Sequence, residues 1–223
     1  EVTLLIGFAW IPDAYRFPWP GLGIFAAAFL AYAAAAWRLA EDGGSPPEQA
    51  ERSRTPLGPP PRALIWIIAV GARIALLPLA PELSDDLYRY LWDGHVQAAG
   101  MNPYEHAPDA SELAGLRTEY HGAINNPSVP TIYPPGAQII FLLIALAGSN
   151  LVLMKAVWIA CDLATGFVLA RTAARRGLDD RPVLLLWLWS PLLIIEVAWS
   201  GHLEPLGLLA LAVAIYAAGR DEA

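Results

Sequence analysis

Apolar residues run for helical lengths at five places: 21–40, 62–81, 151–171, 182–199 and 203–219. A helix needs about 20 apolar residues to cross roughly 30 Å of hydrocarbon, so each run predicts a membrane span. Residues 2–10 (VTLLIGFAW) look like the end of a further one. A sixth apolar run, 134–147 (PPGAQIIFLLIALA), has 14 residues. As a helix it reaches about 21 Å, short of a full crossing, so it predicts a re-entrant or interfacial segment. Two polar intervals separate these runs. Segment 41–61 is rich in Pro, Gly and charge and predicts a flexible linker. Segment 82–133 is the longest polar stretch and predicts a structured outer loop. The chain opens on Glu1, without the charged start and cleavage site of a secretory signal, and the expectation is a sequence that continues at both ends. The pattern predicts an all-α membrane protein: a polytopic helical bundle, one transmembrane domain over 1–223, with an extracytoplasmic loop bearing an interfacial helix.

Charge orients this picture. The net charge is −7, which lacks the basic footprint of a nucleic-acid binder. Segment 82–133 holds Glu82, Asp85, Asp86, Asp93, Glu105, Asp109, Glu112 and Glu119 against Arg89 and Arg117. That is −6, nearly all of the total. If 134–147 does not cross, Arg38, Arg52, Arg54, Arg62, Arg171, Arg175, Arg176, Arg181 and Arg220 share one side, against Arg16, Arg89, Arg117 and Lys155 on the other. The positive-inside rule then puts 82–133 on the outer face of the cell membrane. The single cysteine, Cys161, excludes an internal disulfide and a thiolate zinc cluster.

The start of the outer segment, SDDLYRYLWDGHVQAAG, has helical logic. Ser84 can cap the helix, two acids follow where the helix dipole favours them, and Gly100 ends it. Asp86, Arg89 and Asp93 share one face by spacing. A short helix is expected near 110–117. On the residues alone, Asp85 and Asp86 read equally as helix capping with an ion pair to Arg89 or as a carboxylate pair for acid–base work.

SDDLYRYLWDGHVQAAGMNPYE after a span, followed by TIYPPGAQIIF opening the next apolar segment, resembles the glycosyltransferase C superfamily of polytopic membrane enzymes. The nearest likeness is to the polyprenyl-phosphate-mannose-dependent mannosyltransferases, and it covers roughly residues 62–219. The resemblance implies an integral membrane glycosyltransferase. Such an enzyme moves a hexose, mannose by this likeness, from polyprenyl phosphate to a lipid or glycan hydroxyl on the outer face, with inversion. Asp86 matches the position of the catalytic base, with Asp85 its neighbour and possible substitute. No cofactor or metal is implied; the lipid-linked sugar is a co-substrate. Its phosphate is already a good leaving group, so one base and nearby cations suffice, without the second acid of a glycosidase. Lys155 and Arg89 are the candidate cations. Lys155 equally reads as a side chain snorkelling to the interface, and Arg117 as a solvated loop charge.

A second polar spot, WSGHLEPLG (199–207), interrupts mostly apolar sequence, and a charge within a span is costly unless it faces protein or water. His202 and Glu204, with Asp93 and Tyr133, complete the expected substrate-binding set. The related enzymes tend to carry Asp where Glu204 stands. Glu196 can join this cluster, and Tyr133 beside Pro134 and Pro135 is expected to shape the cavity wall. Arg73 and Asp162, both within predicted spans, read first as a buried pair. His95, His106 and His121 match no standard zinc spacing. Two rival readings remain: a transporter or flippase using Arg73, Asp162, Lys155 and His202, and a non-catalytic assembly subunit.

Overall fold

The computed structural model describes residues 18–44 and 60–219, with side chains over 23–38 and 60–219. The expected span end at 2–10, most of the 41–61 linker, and Arg16, Arg52, Arg54 and Arg220 lie outside the described residues. Among the described residues every regular element is helical and there is no strand. In chain order they are α1 (Pro18–Gly44), α2 (Arg62–Leu76), α3 (Asp86–Ala98), 3₁₀ turns at Ser111–Leu116 and His121–Ala123, α4 (Pro135–Leu146), α5 (Leu151–Arg175), α6 (Arg181–Leu188), α7 (Pro191–Ser200) and α8 (Glu204–Ala218).

The expected spans are shortened where proline intervenes. α2 stops at Leu76, before Pro78 and Pro81, and its 15 residues reach about 22 Å rather than spanning 62–81. The 182–199 run is broken: Pro191 cannot donate to the preceding turn, and α6 and α7 meet at 45°. α8 also has 15 residues. α5 is long and apolar enough to cross a bilayer as one rod, and the bent α6–α7 pair makes a second crossing if it is one span. α1 continues through Gly44, so Glu41 and Asp42 are helical rather than the first residues of a linker. α4 has 12 residues, short as expected, and starts on Pro135, whose fixed φ suits a first helical turn.

α5 is the hub. α8, α6 and α7 pack along it, and α3 lies against both α4 and α5. The main core joins Leu87, Tyr90 and Leu91 of α3 to Phe141 of α4, Met154 and Trp158 of α5, and Ile194 and Trp199 of α7. Tyr90 stacks on Phe141 at 4.9 Å and meets Trp158 edge-on at 6.3 Å. Burying each such side chain contributes about 1.5–3 kcal/mol. A Cβ on Gly94 would run into the Phe141 carbonyl, so this glycine sets how closely α3 and α4 approach. Segment 82–133 has a core of its own, Trp92 and Val96 of α3 with Leu113 and Ile124 of the loop that follows, which explains how 52 mostly polar residues hold one shape.

Buried polar groups tie these layers together. Arg73 of α2 meets Asp162 of α5 at 2.6 Å, both fully buried. Arg73 also donates to the Ala69 and Leu188 carbonyls, and the Trp187 indole donates to Asp162. The expected pair is present and closed within protein.

Candidate active site

Asp86 opens α3, and its N–H donates to the Ser84 hydroxyl at 3.2 Å. The helix therefore begins one residue later than expected: Asp85 precedes it and is exposed, while Asp86 stands in the first turn. At the other end Gly100 adopts φ +80°, as expected of a terminating glycine. The next side chain along, Leu87, is fully buried against Gly201, which has φ +78°. A Cβ on Gly201 would lie 2.9 Å from Leu87 and 3.2 Å from the Lys155 stem. This crowding places Asp86, one residue before Leu87, beside His202, one residue after Gly201.

His202 lies between two carboxylates. Its Nδ1 is 2.6 Å from Glu196 Oε2, and its Nε2 is 3.7 Å from Asp86 Oδ2. Ile194–Ser200 is wound as a π-helix, a geometry frequent at functional sites. Its wider turn lets the Glu196 carbonyl accept the N–H groups of Gly201 and His202. Glu196 thus grips the next polar turn by its backbone and holds the imidazole by its carboxylate. The hydrogen bond and charge of Glu196 lift the His202 pKa above the usual histidine value, with smaller contributions from Glu204 and Asp86. The Asp86, His202 and Glu196 side chains are 33%, 24% and 39% exposed, so the group is open to water.

Asp86 Oδ1 accepts a 2.6 Å hydrogen bond from Asn125, carried by the loop just after the His121–Ala123 turn. Tyr133 and Tyr90 meet edge to face at 4.9 Å. Burial and the nearby Asp86 charge push the Tyr133 phenol up to about 12, and burial pushes Tyr90 higher still, so both are neutral hydroxyls. Glu204 begins α8, is exposed, and contributes charge to both His202 and Tyr90. Asp86, Tyr133, His202, Glu204 and Glu196 therefore converge.

The remaining expected residues are placed differently. Arg89 and Asp93 do not face this opening; they pair with each other at 2.8 Å with side chains 5% and 1% exposed. Gln138 donates to Asp93 and to Thr131, and Arg89 donates to the Val129 carbonyl. This network fastens the 129–131 strap to α3 and α4. Lys155 neither snorkels nor presents its charge to the opening. Its ammonium is buried on the Leu76 and Leu79 carbonyls, 2.9 Å from each, at the negative end of α2. Trp199 donates to the Ala80 carbonyl nearby. Together they anchor the turn that delivers Asp86. Arg117 lies on the loop surface and donates to the Asp109 carbonyl, and the expected helix near it is the 3₁₀ turn Ser111–Leu116. Asn125 was invisible to spacing arguments, since 39 residues separate it from Asp86.

No curated protein and no solved structure matches the chain. A family model does: the MptA/B family, described as alpha-(1->6)-mannopyranosyltransferase, N-terminal domain, matches residues 14–222. The match takes in α1, the acidic loop and both polar turns that meet at Asp86 and His202, and so the chain belongs to this family of mannosyltransferases, which are glycosyltransferases.

Proposed function

We propose that this chain carries the base-bearing half of a membrane mannosyl transfer site, using a polyprenyl-phosphate sugar as donor and a lipid or glycan hydroxyl as acceptor. Asp86 takes the proton of the acceptor hydroxyl as that oxygen attacks the anomeric carbon. The sugar–phosphate bond breaks on the opposite face, its electron pair leaves with the phosphate, and the configuration inverts. A phosphate leaves without being protonated, so the scheme needs no second acid. The observation that carries the reading is the Asp86 carboxylate. It is half-buried, held on one oxygen by Asn125, and directed by the other toward a water-accessible histidine. Tyr133, His202 and Glu204 line the place where sugar hydroxyls would bind, and Asp85 stands in solvent beside it. Lys155, Arg89 and Asp93 serve by holding the α2–α3 turn and the strap in place.

The protein is read as multi-pass, with this site on the extracytoplasmic face. Charge segregation supports that orientation. Arg62, Arg175 and Arg181 gather at one end of the bundle, where Arg62 meets Asp180 and Arg181 meets Asp179 at 2.6 Å. Asp86 and the acidic loop occupy the other end.

The test is mannosyl transfer by membranes carrying the protein, with radiolabelled polyprenyl-phosphate mannose as donor and an alkyl mannoside as acceptor probe. Asp86→Asn is expected to lower the rate by about 100-fold or more while the protein remains folded and inserted. Activity within a few-fold of wild type in that variant would overturn the assignment of Asp86.

A further inference from the structure

We infer that His202 and Glu196 form a proton relay behind Asp86, with His202 drawing the acceptor's proton off the aspartate and Glu196 fixing the imidazole for that task. The inference rests on the reading of Asp86 as the base and goes beyond it.

Three features of the geometry carry it. First, the ring is held by the nitrogen remote from Asp86. With Nδ1–H donating to Glu196, the neutral tautomer leaves its Nε2 lone pair facing Asp86 Oδ2. A carboxylate that orients a histidine, whose far nitrogen faces the reacting group, is the arrangement of a general-base triad. Second, the 3.7 Å gap between Nε2 and Oδ2 exceeds a hydrogen bond by a few tenths of an ångström. Contacts of this kind commonly tighten only when substrate is bound, or act through one water. Third, the grip is double: Glu196 holds the backbone of residues 201 and 202 as well as the ring, so the imidazole cannot swing away while the turn stays folded.

The balance of the step is simple. The acceptor O–H bond breaks and its proton moves to Asp86 while the sugar–phosphate bond breaks. Asp86 then passes the proton to His202 Nε2 and returns to its ionised form. In reference compounds imidazole is the stronger base by roughly 2–3 pK units, so this transfer runs downhill. The imidazolium, still bonded to Glu196 and partly exposed, releases the proton to water. No oxidant or co-reactant is involved.

The groups facing His202 are Glu196 from α7, Asp86 from α3 and Glu204 at the start of α8. From α5, Lys155 brings only its stem to Gly201, its ammonium being turned into the α2 carbonyls; Tyr90 and Tyr133 face Asp86. All the charges directed at the ring are therefore carboxylates, which favour the imidazolium. His202 accepts a proton only when neutral. Activity must rise as pH rises through the elevated His202 value, and removal of the Glu196 charge must move that rise to lower pH.

The experiment is the pH profile of kcat and kcat/KM for wild type, Glu196→Gln, Glu196→Asp and His202→Gln, with the same labelled donor and alkyl mannoside. Thermal melting in detergent normalises each variant to its folded fraction. Glu196→Gln is expected to move the acidic limb down by about 0.5–1 pH unit, and Glu196→Asp to restore most of it. His202→Gln is expected to lower kcat by about tenfold or more with little change in KM, and to lose the acidic limb that His202 titration produces. If His202→Gln is too slow to profile, the limb of Glu196→Gln decides alone. A limb in the wild-type position in Glu196→Gln overturns the relay. If Asp86→Asn is inactive in that case, the assignment of Asp86 survives and only the relay falls; if Asp86→Asn is active, the base itself is misassigned.

Discussion

Asp85 and Asp86 are chemically identical and adjacent, and their surroundings separate them. Asp85 is exposed ahead of α3, whereas Asp86 is gripped by Asn125 and faces His202. Asp85→Asn is therefore expected to keep transfer within about threefold of wild type, against the loss expected for Asp86→Asn, in side-by-side rate measurements. Asn125→Ala removes a hydrogen bond to a charged group, worth about 1.5–3 kcal/mol, and frees the aspartate to turn. A drop in kcat/KM of about tenfold, with the melting temperature lowered by several degrees, is the expected result. The Glu196–His202 contact also has a stability signature. Its folded-state pKa is raised, so its contribution is complete below the unfolded value of about 6.5 and is lost as pH rises through the folded value. Glu196→Gln should therefore lower the melting temperature more at pH 6 than at pH 9. At this scale the residue types were legible in sequence, since a histidine and two glutamates in an apolar stretch need a reason. Their grouping was legible too, Glu196 with His202 and Glu204; which atoms meet, and the contact from Asn125, were not. Arg89 and Asp93 have the spacing of a functional face, and the same spacing makes an i, i+4 ion pair; burial by the 129–131 strap selected the pair.

Elements explain why the polar turns meet. α3 was readable from Ser84, the 3.6-residue pattern and Gly100, because capping and periodicity are local. Its docking on α4 depends on Gly94, which only packing reveals. Gly94→Val should force the two helices apart and destabilise the protein by about 1–3 kcal/mol, seen as a lower melting temperature in detergent. The break between α6 and α7 is signalled by Pro191, but its repair is tertiary. Arg73 of α2 donates to the Leu188 carbonyl at the bend while paired to Asp162. Arg73→Met alone leaves the Asp162 charge buried without its partner and should cost about 3–5 kcal/mol. The double replacement Arg73→Met with Asp162→Leu should be markedly milder by the same melting assay. A double variant as unstable as the single one would show that the carbonyl contact, rather than the ion pair, is what matters.

On the scale of the whole molecule, α5 joins two chemically different ends. At one end Arg175 stacks on Tyr216 of α8, 3.5 Å from the ring centre, and Arg62 reaches Asp180; at the other, Lys155, Trp199 and His202 surround the approach to Asp86. The proposed orientation predicts opposite labelling of these ends. Ile132 is 81% and Leu178 is 62% exposed, so each can carry a probe cysteine in a Cys161→Ala background. An impermeant maleimide should label Ile132→Cys in intact cells and Leu178→Cys only after permeabilisation; labelling of both in intact cells would overturn the topology. The helical class, the segregation of acid and arginine, the shortness of 134–147, and the residue types from which a site could be made are all readable from the amino-acid order. Those properties follow from hydropathy, local periodicity and net charge, which need no partner to be defined. Packing in three dimensions selected which of those residues stand together. It buried Lys155, Arg89 and Asp93 as anchors, broke the fourth expected span, and brought Asn125, Glu196 and His202 to Asp86. Contacts between residues distant in the chain depend on how closely helices approach, and that is set by small residues such as Gly94 and Gly201 meeting large ones across the core.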